Sequence, residues 1–213
     1  MKKNINSCKL VPGIPAQTEG GFHDTESEKV YENIVEAKYA YQLLKMRLLD
    51  INHWQDYCAM SFAEFRLYNT KGSFKESVLS RHDLVRINVY ASPELGTIYY
   101  WVKISDIFFE EYEEFERTVI IFIPTSHPRN QQSEIAHFYS STSSSAFVIN
   151  RRGNILSAAV YGRNETPNLD TNFLGKIKNR IISFCAVVGL SKVQWRNFTD
   201  GILNTNGISM SGD

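Results

Sequence analysis

Hydrophobic and polar positions change their rhythm twice along this chain. Val30, Ile34, Ala37, Tyr41, Leu44, Leu48 and Ile51 recur at spacings of four and three, which draws one apolar stripe down a helix. Thr25 followed by Glu28 fits a capping box, so the helix is expected to open there and run for about 25 residues. Lys45 and Arg47 sit near its end, where the helix dipole favours cations. From residue 59 the period falls to two. Ala63, Phe65 and Leu67, then Val85, Ile87 and Val89, then Ile98, Tyr100, Val102 and Ile104, alternate with their neighbours as half-buried strands do. Thr118 to Ile123 is apolar on both faces and belongs in the middle of a sheet. Ser145–Asn150 and Asn154–Gly162 flank Arg151-Arg152-Gly153 and predict a hairpin. Beyond Pro167 the helical rhythm returns. Phe173, Ile177, Ile181, Phe184 and Val188 form a stripe closed by Gly189, and Ser191 with Gln194 opens a second helix through Trp195, Phe198 and Leu203.

The expected fold is therefore α+β: a largely antiparallel six-stranded sheet flanked by a long N-terminal helix and a C-terminal helix pair. Residues 1–24, rich in Gly and Pro, read as a flexible lead-in, 25–204 as one domain, and 205–213 as a frayed tail. A chain of 213 residues with 43% hydrophobic content can bury a core without disulfides or metal. Its 23 basic and 23 acidic residues cancel, so no global field draws in nucleic acid or an anionic membrane. No apolar run is long enough for a membrane span, and the N-terminus lacks the pattern of a secretory signal. Cys8, Cys58 and Cys185 are widely spaced without a CxxC, as free thiols in a reducing compartment would be. The expectation is a cytoplasmic protein that does not enter membranes.

Candidate chemistry centres on Tyr161–Asn168. Arg163, Asn164 and Glu165 offer a guanidinium fork, an amide and a carboxylate beside a helix N-terminus, which could hold an anion. The same residues suit a tight strand-to-helix turn in which Arg163 and Glu165 pair locally, and this structural reading is the commoner one. His137 precedes the run Ser140 to Ser145, but no GxSxG elbow marks a nucleophile. His53 with Asp56, His82 with Asp83, and His127 with His137 fall short of metal-ligand spacing, so neither metal nor cofactor is expected. The glutamates between Glu110 and Glu116 read as a solvated hairpin end. Phe184–Phe198, with Lys192, Gln194, Arg196 and Asn197 after Gly189, has the outline of a helix-turn-helix. Neutral overall charge and the lack of a third helix nearby weigh against nucleic acid.

Two resemblances add to this. His137-Phe138 with the serine run, Phe147–Arg151, Gly162–Asn168 and Gly189–Trp195 resemble a family of uncharacterised bacterial proteins with no known activity, and the likeness extends to Asp50–Trp54 and Asp83–Ile87. The order of an early helix ending at Asp50-Ile51-Asn52-His53-Trp54, a curved antiparallel sheet and a C-terminal helix is similar to the helix-grip fold of START-like proteins. Two features depart from that pattern: the strand that should precede the helix is poorly marked, and the closing helix breaks at Gly189. The resemblance implies binding of apolar ligands between helix and sheet. Aromatic-rich strands facing an amphipathic helix enclose either a solid core or an apolar cavity; the expectation is a non-enzymatic module for an apolar small ligand or a protein partner, with a pocket lined by Phe65, Tyr100, Trp101, Phe122 or Phe147. Three competing functional readings stay open: a homo-oligomer assembled through the first helix or a sheet edge, an enzyme with a polar site around Arg163, Asn164, Glu165 and His137, and DNA binding through the C-terminal helix-turn-helix-like pair. As a fold, residues 59–123 alternatively close into a small SH3-like barrel.

Overall fold

In a computed structural model of the chain, the described residues are 8–58, 63–92, 96–128, 139–166 and 191–205. Strand β1 (Gly21–Val30) precedes helix α1 (Ile34–Leu49), a 3-10 turn (Ile51–His53) and the short helix α2 (Trp54–Tyr57). Then come β2 (Ala63–Tyr68), β3 (Leu84–Ser92), β4 (Gly96–Tyr112), β5 (Phe115–Thr125), β6 (Ser144–Arg152) and β7 (Ile155–Glu165). Helix α3 (Ser191–Leu203) closes the described chain. All seven strands form one antiparallel sheet in the order β1-β7-β6-β5-β4-β3-β2. Strands β2 to β7 are a meander, and β1 comes back across the whole chain to pair with β7.

The sheet thus has seven strands rather than the expected six, and the additional one is β1. Thr25 and Glu28 do not cap a helix; they lie inside this strand. Its inward residues, His23, Thr25 and Ser27, are polar yet buried, so the period of two carries no hydrophobic signal. The true N-cap is Asn33. Its side-chain oxygen accepts the Glu36 backbone N–H at 2.9 Å, and its amide donates to the Glu36 carboxylate at 2.8 Å. The sequence Asn33-Ile34-Val35-Glu36 matches the same capping pattern as Thr25 to Glu28, eight residues further on.

The apolar stripe of α1 faces the sheet through Ala37, Tyr41, Leu44 and Leu48, all fully buried. β5 lies fourth of the seven strands and is buried on both faces, as its composition predicts. Two-residue turns at Glu113-Glu114 and Gly153-Asn154 link β4 to β5 and β6 to β7, and Gly153 supplies the positive φ of 58° its turn requires. Because β2 to β5 belong to this open sheet, with β2 on its edge, residues 59–123 do not close into a barrel.

Residues 8–20 run as a strap over the sheet face opposite the helices, where Val11 and Ile14 pack on a second core of Val119, Ile121, Ala146, Val148, Ala159 and Tyr161. The strap is pinned by Asn164, which adopts a left-handed φ of 54°. Its side-chain oxygen accepts from the backbone N–H of Thr18 at 2.8 Å and of Glu19 at 3.2 Å, and its amide donates to the Ala16 carbonyl at 3.0 Å.

Candidate functional site

The inner face of the sheet, towards the helices, gathers aromatic rings around Trp54. Its indole is fully buried and lies 4.7 Å from the ring of Phe147, 5.0 Å from Phe198, 5.2 Å from Phe65 and 6.0 Å from Phe122. The 3-10 turn after α1 sends Trp54 back under the helix, where its indole N–H donates to the Leu48 carbonyl at 3.1 Å. Phe65, Phe122 and Phe147 therefore lie on one face, each against Trp54, and Phe122 and Phe147 also meet edge-on at 5.3 Å. Tyr100 lies on that face too, packed at its margin. Trp101 does not. Strand alternation turns it to the opposite face, where it packs against Tyr68 at 4.9 Å, so it cannot line a cavity shared with Tyr100 between helix and sheet.

Where this aromatic layer reaches β1 and β7 it meets a polar pair. His23 Nδ1 lies 2.7 Å from the Glu165 carboxylate, and both side chains are largely buried. The His23 ring is parallel to the indole of Trp195 on α3, with centroids 6.2 Å apart, and Trp195 in turn meets Phe147 edge-on at 5.5 Å. His23 Nε2 is buried without a hydrogen-bond partner. Gly162 makes room for the pair: a Cβ there would come within 2.2 Å of His23 Nδ1 and 2.3 Å of Glu165 Oε1. Glycine stands here for close approach, mid-strand, rather than for the turn its neighbours suggested. Chemically the pair is a carboxylate-oriented imidazole. In the neutral tautomer with the proton on Nδ1, facing Glu165, Nε2 is a buried acceptor.

The residues singled out in the sequence are divided by the fold. Arg163 lies on the strap side, fully buried, donating to the Asp24 carboxylate at 2.6 Å and to the Lys9 carbonyl at 3.0 Å. Asn164 holds the strap, and Glu165 turns inward to His23. Arg163 and Glu165 thus do not pair with each other, and the three side chains do not open on one polar cleft. His137 and the segment 167–190, with Gly189 and the first helix of the predicted pair, lie outside the described residues. In α3, Arg196 donates to the Glu26 carbonyl at 3.0 Å and to Asp200 at 3.1 Å, while Phe198 and Ile202 point into the core. Of the serine run, Ser143 donates to the Asn164 carbonyl at 2.7 Å. His53 bonds Asp50, not Asp56, and among the described residues no group of three or more His, Cys, Asp or Glu could hold a metal ion. His23 and Trp195 were missed as partners because they are distant in sequence. Every residue from His23 to Lys29 is polar, so no local alternation marks the strand.

One pH-dependent contact links strap and sheet. Burial alone would raise the Glu26 carboxyl, but hydrogen bonds from Lys9 at 2.6 Å and Tyr161 at 2.6 Å outweigh it and hold its pKa below the ordinary value. The unfolded carboxyl takes up its proton near 4.3, roughly, and the folded one at lower pH. The contact therefore contributes fully above the unfolded value and is lost as pH falls through the folded one. The amide resonances of Lys9, Leu10 and Val11 are expected to move towards random-coil positions below about pH 4. Unmoved resonances down to about pH 2 would show that Glu26 does not tie the strap.

No protein-family model matches the sequence, and no curated protein matches it. Among solved structures, a hypothetical protein from Helicobacter pylori is 9% identical, with a TM-score of 0.51 over 95% of this chain and 98% of that one. A protein from Thermus thermophilus is 11% identical, with a TM-score of 0.41 over 85% of this chain and 94% of that one. A major latex-like protein from Panax ginseng is 12% identical, with a TM-score of 0.32 over 78% of this chain and 98% of that one. The first of these shows a shared fold: one large antiparallel sheet with few helices. No helix among the described residues is long and apolar enough to cross a membrane.

Proposed function

We propose that the protein is a soluble, non-enzymatic binding module of the helix-grip class. It encloses a small, largely apolar ligand between sheet and α3, with the polar end of the ligand at His23. The observation that carries this is the buried, unpartnered Nε2 of His23, whose ring lies parallel to Trp195 and is oriented by Glu165. A buried acceptor without a donor is costly, and a ligand N–H or O–H arriving there removes the cost. The strand before the first helix, faint in the sequence, completes the element order of a helix grip, which supports the same reading.

The neutral fluorophore N-phenyl-1-naphthylamine offers one N–H and an apolar body. It is expected to bind saturably at one site per chain, with energy transfer from tryptophan. His23→Phe removes the acceptor and keeps a ring, and should weaken binding roughly three- to tenfold, the worth of one hydrogen bond. Trp195→Ala should weaken it further. Absence of saturable binding, or binding indifferent to both substitutions, would overturn the proposal.

Self-association is the second reading, favoured by Val35, Tyr39 and Met46, which are exposed together on the outward side of α1. Light scattering during the same titration separates the two, since the binding module stays monomeric.

A further inference from the structure

A cavity of about 460 Å³ lies on the outer face of the sheet, between the strap and strands β5, β6, β7 and β1. Val11 and Pro12 belong to its roof, and Phe115, Ile155 and Ala159 give it apolar walls. A polar row crosses five strands in register: Arg117, Asn150, Ser157 and Glu28 lie along the cavity floor, and Glu110 continues the row beyond it. Such a row is unexpected beside the apolar residues Val119, Val148 and Ala159 that come next along each strand.

Arg117 is the centre of the row. Its side chain is only 8% exposed, and its Nη1 stands 3.5 Å from the Glu110 carboxylate. Its Nε and Nη2 have no hydrogen-bond partner. These two nitrogens form one edge of the guanidinium, the edge that receives a carboxylate through two parallel hydrogen bonds. Directly across the strand pair, Asn150 donates through Nδ2 to Ser157 at 3.2 Å, while its Oδ1 is buried without a partner. The row therefore offers two charged donors and, beside them, one neutral acceptor. Leaving a guanidinium edge and an amide oxygen both unpaired in one place is costly.

We propose that this cavity binds a small organic monocarboxylate, held side-on by Arg117, with a hydroxyl or N–H next to its carboxylate donating to Asn150 and an apolar body against the strap. A single negative charge is specified because Glu26 and Glu28 line the cavity, Glu110 stands beside Arg117 outside it, and these carboxylates repel a doubly charged anion. The other cations of the lining have partners within it: Lys9 pairs with Glu26, and Arg152 lies over the ring of Phe115. Nε and Nη2 are covered as the chain stands. A ligand reaches this edge only by displacing what lies over it; at Lys9 the adjoining strap is held by a part-exposed ion pair, which water and salt weaken, and by the Arg163 bond to the Lys9 carbonyl.

The test is a titration of the full chain with 2-hydroxyhexanoate, read in two-dimensional 1H–15N spectra, with 2-hydroxyhexanamide and inorganic phosphate as parallel arms. Saturable shifts are expected at the Arg117 Nε–H, at Lys9, Leu10 and Val11, and at Asn150 and Ser157, for the carboxylate alone. Arg117→Gln should weaken binding at least about tenfold, as loss of a bidentate charged contact does. If Arg117→Gln fails to fold by circular dichroism, Ser157→Met decides, because its longer side chain fills the cavity without touching the charge. Equal saturation by the amide or by phosphate, binding unchanged in the variant that folds, or no saturable shifts at all would overturn the proposal. The naphthylamine titration reads the inner site separately, so failure of one site leaves the other standing.

Discussion

Replacing Trp54 by alanine is expected to cost about 3–5 kcal/mol of stability, as a fully buried large aromatic does on truncation. Trp54 joins the helical layer to the sheet, touching Phe65 on β2, Phe122 on β5, Phe147 on β6 and Phe198 on α3. No single neighbour can relax into the space it leaves, because each ring is held on a different element. In a chain of this size the loss corresponds to a fall of roughly 6–20 °C in Tm. Trp54→Phe keeps most of the volume and gives up the hydrogen bond to Leu48, so it should cost less than about half as much. Thermal unfolding followed by circular dichroism checks both. A Trp54→Ala variant that melts with the parent would mean that these rings do not form one packed layer, and the proposed inner wall of the binding site would go with it.

The second large effect is expected at Arg151, whose side chain is wholly buried at the β6–β7 turn. It donates through Nε to Glu116, and it also donates to the carbonyls of Gly153 at 2.9 Å and Glu113 at 3.0 Å, tying together the two turns of the β4–β5 and β6–β7 hairpins. Gln42 on α1 donates to the other oxygen of Glu116 at 3.0 Å. Arg151→Met strands a mostly buried carboxylate with one neutral donor and is expected to cost about 3–5 kcal/mol. The double replacement Arg151→Met with Glu116→Leu removes both charges and should recover most of that loss, because well-packed apolar groups replace buried pairs at little cost. Urea unfolding of the two single variants and the double one closes the cycle. Simple addition of the two single losses would show that the pair is not coupled.

The wide polar content of this interior explains which parts of the fold were legible beforehand. Where inward positions are apolar, as in α1, β2, β5 and the β6–β7 hairpin, periodicity placed the elements and even ranked β5 as central. Strand β1 was lost because His23, Thr25 and Ser27 replace hydrophobes on its inward side; Ser27 bonds Thr199 at 2.6 Å, a partner 172 residues away. A polar residue buried against a polar partner is indistinguishable in sequence from one facing water. The same limit applied to the strap, whose Pro and Gly content resembles a loose end but whose backbone is gripped by Asn164. Trp101 falls on the other face for a simpler reason: alternation sets Tyr100 with Ile98, Val102 and Ile104 and sets Trp101 with Tyr99 and Lys103, so Tyr100 and Trp101 do not share one wall.

The order of residues was enough to establish the α+β class, the antiparallel meander, the sheet-facing stripe of α1 and the tight hairpins, because each rests on contacts between near neighbours or on a period carried by apolar residues. It took the folded chain to establish that the opening strand pairs with the last and that a strap covers the sheet's second face. The same holds for His23 standing against Glu165 and for Arg117 lying open-edged beneath a cavity. Those features depend on which polar groups meet across long stretches of sequence, and that pairing is a property of the assembled sheet rather than of any one segment.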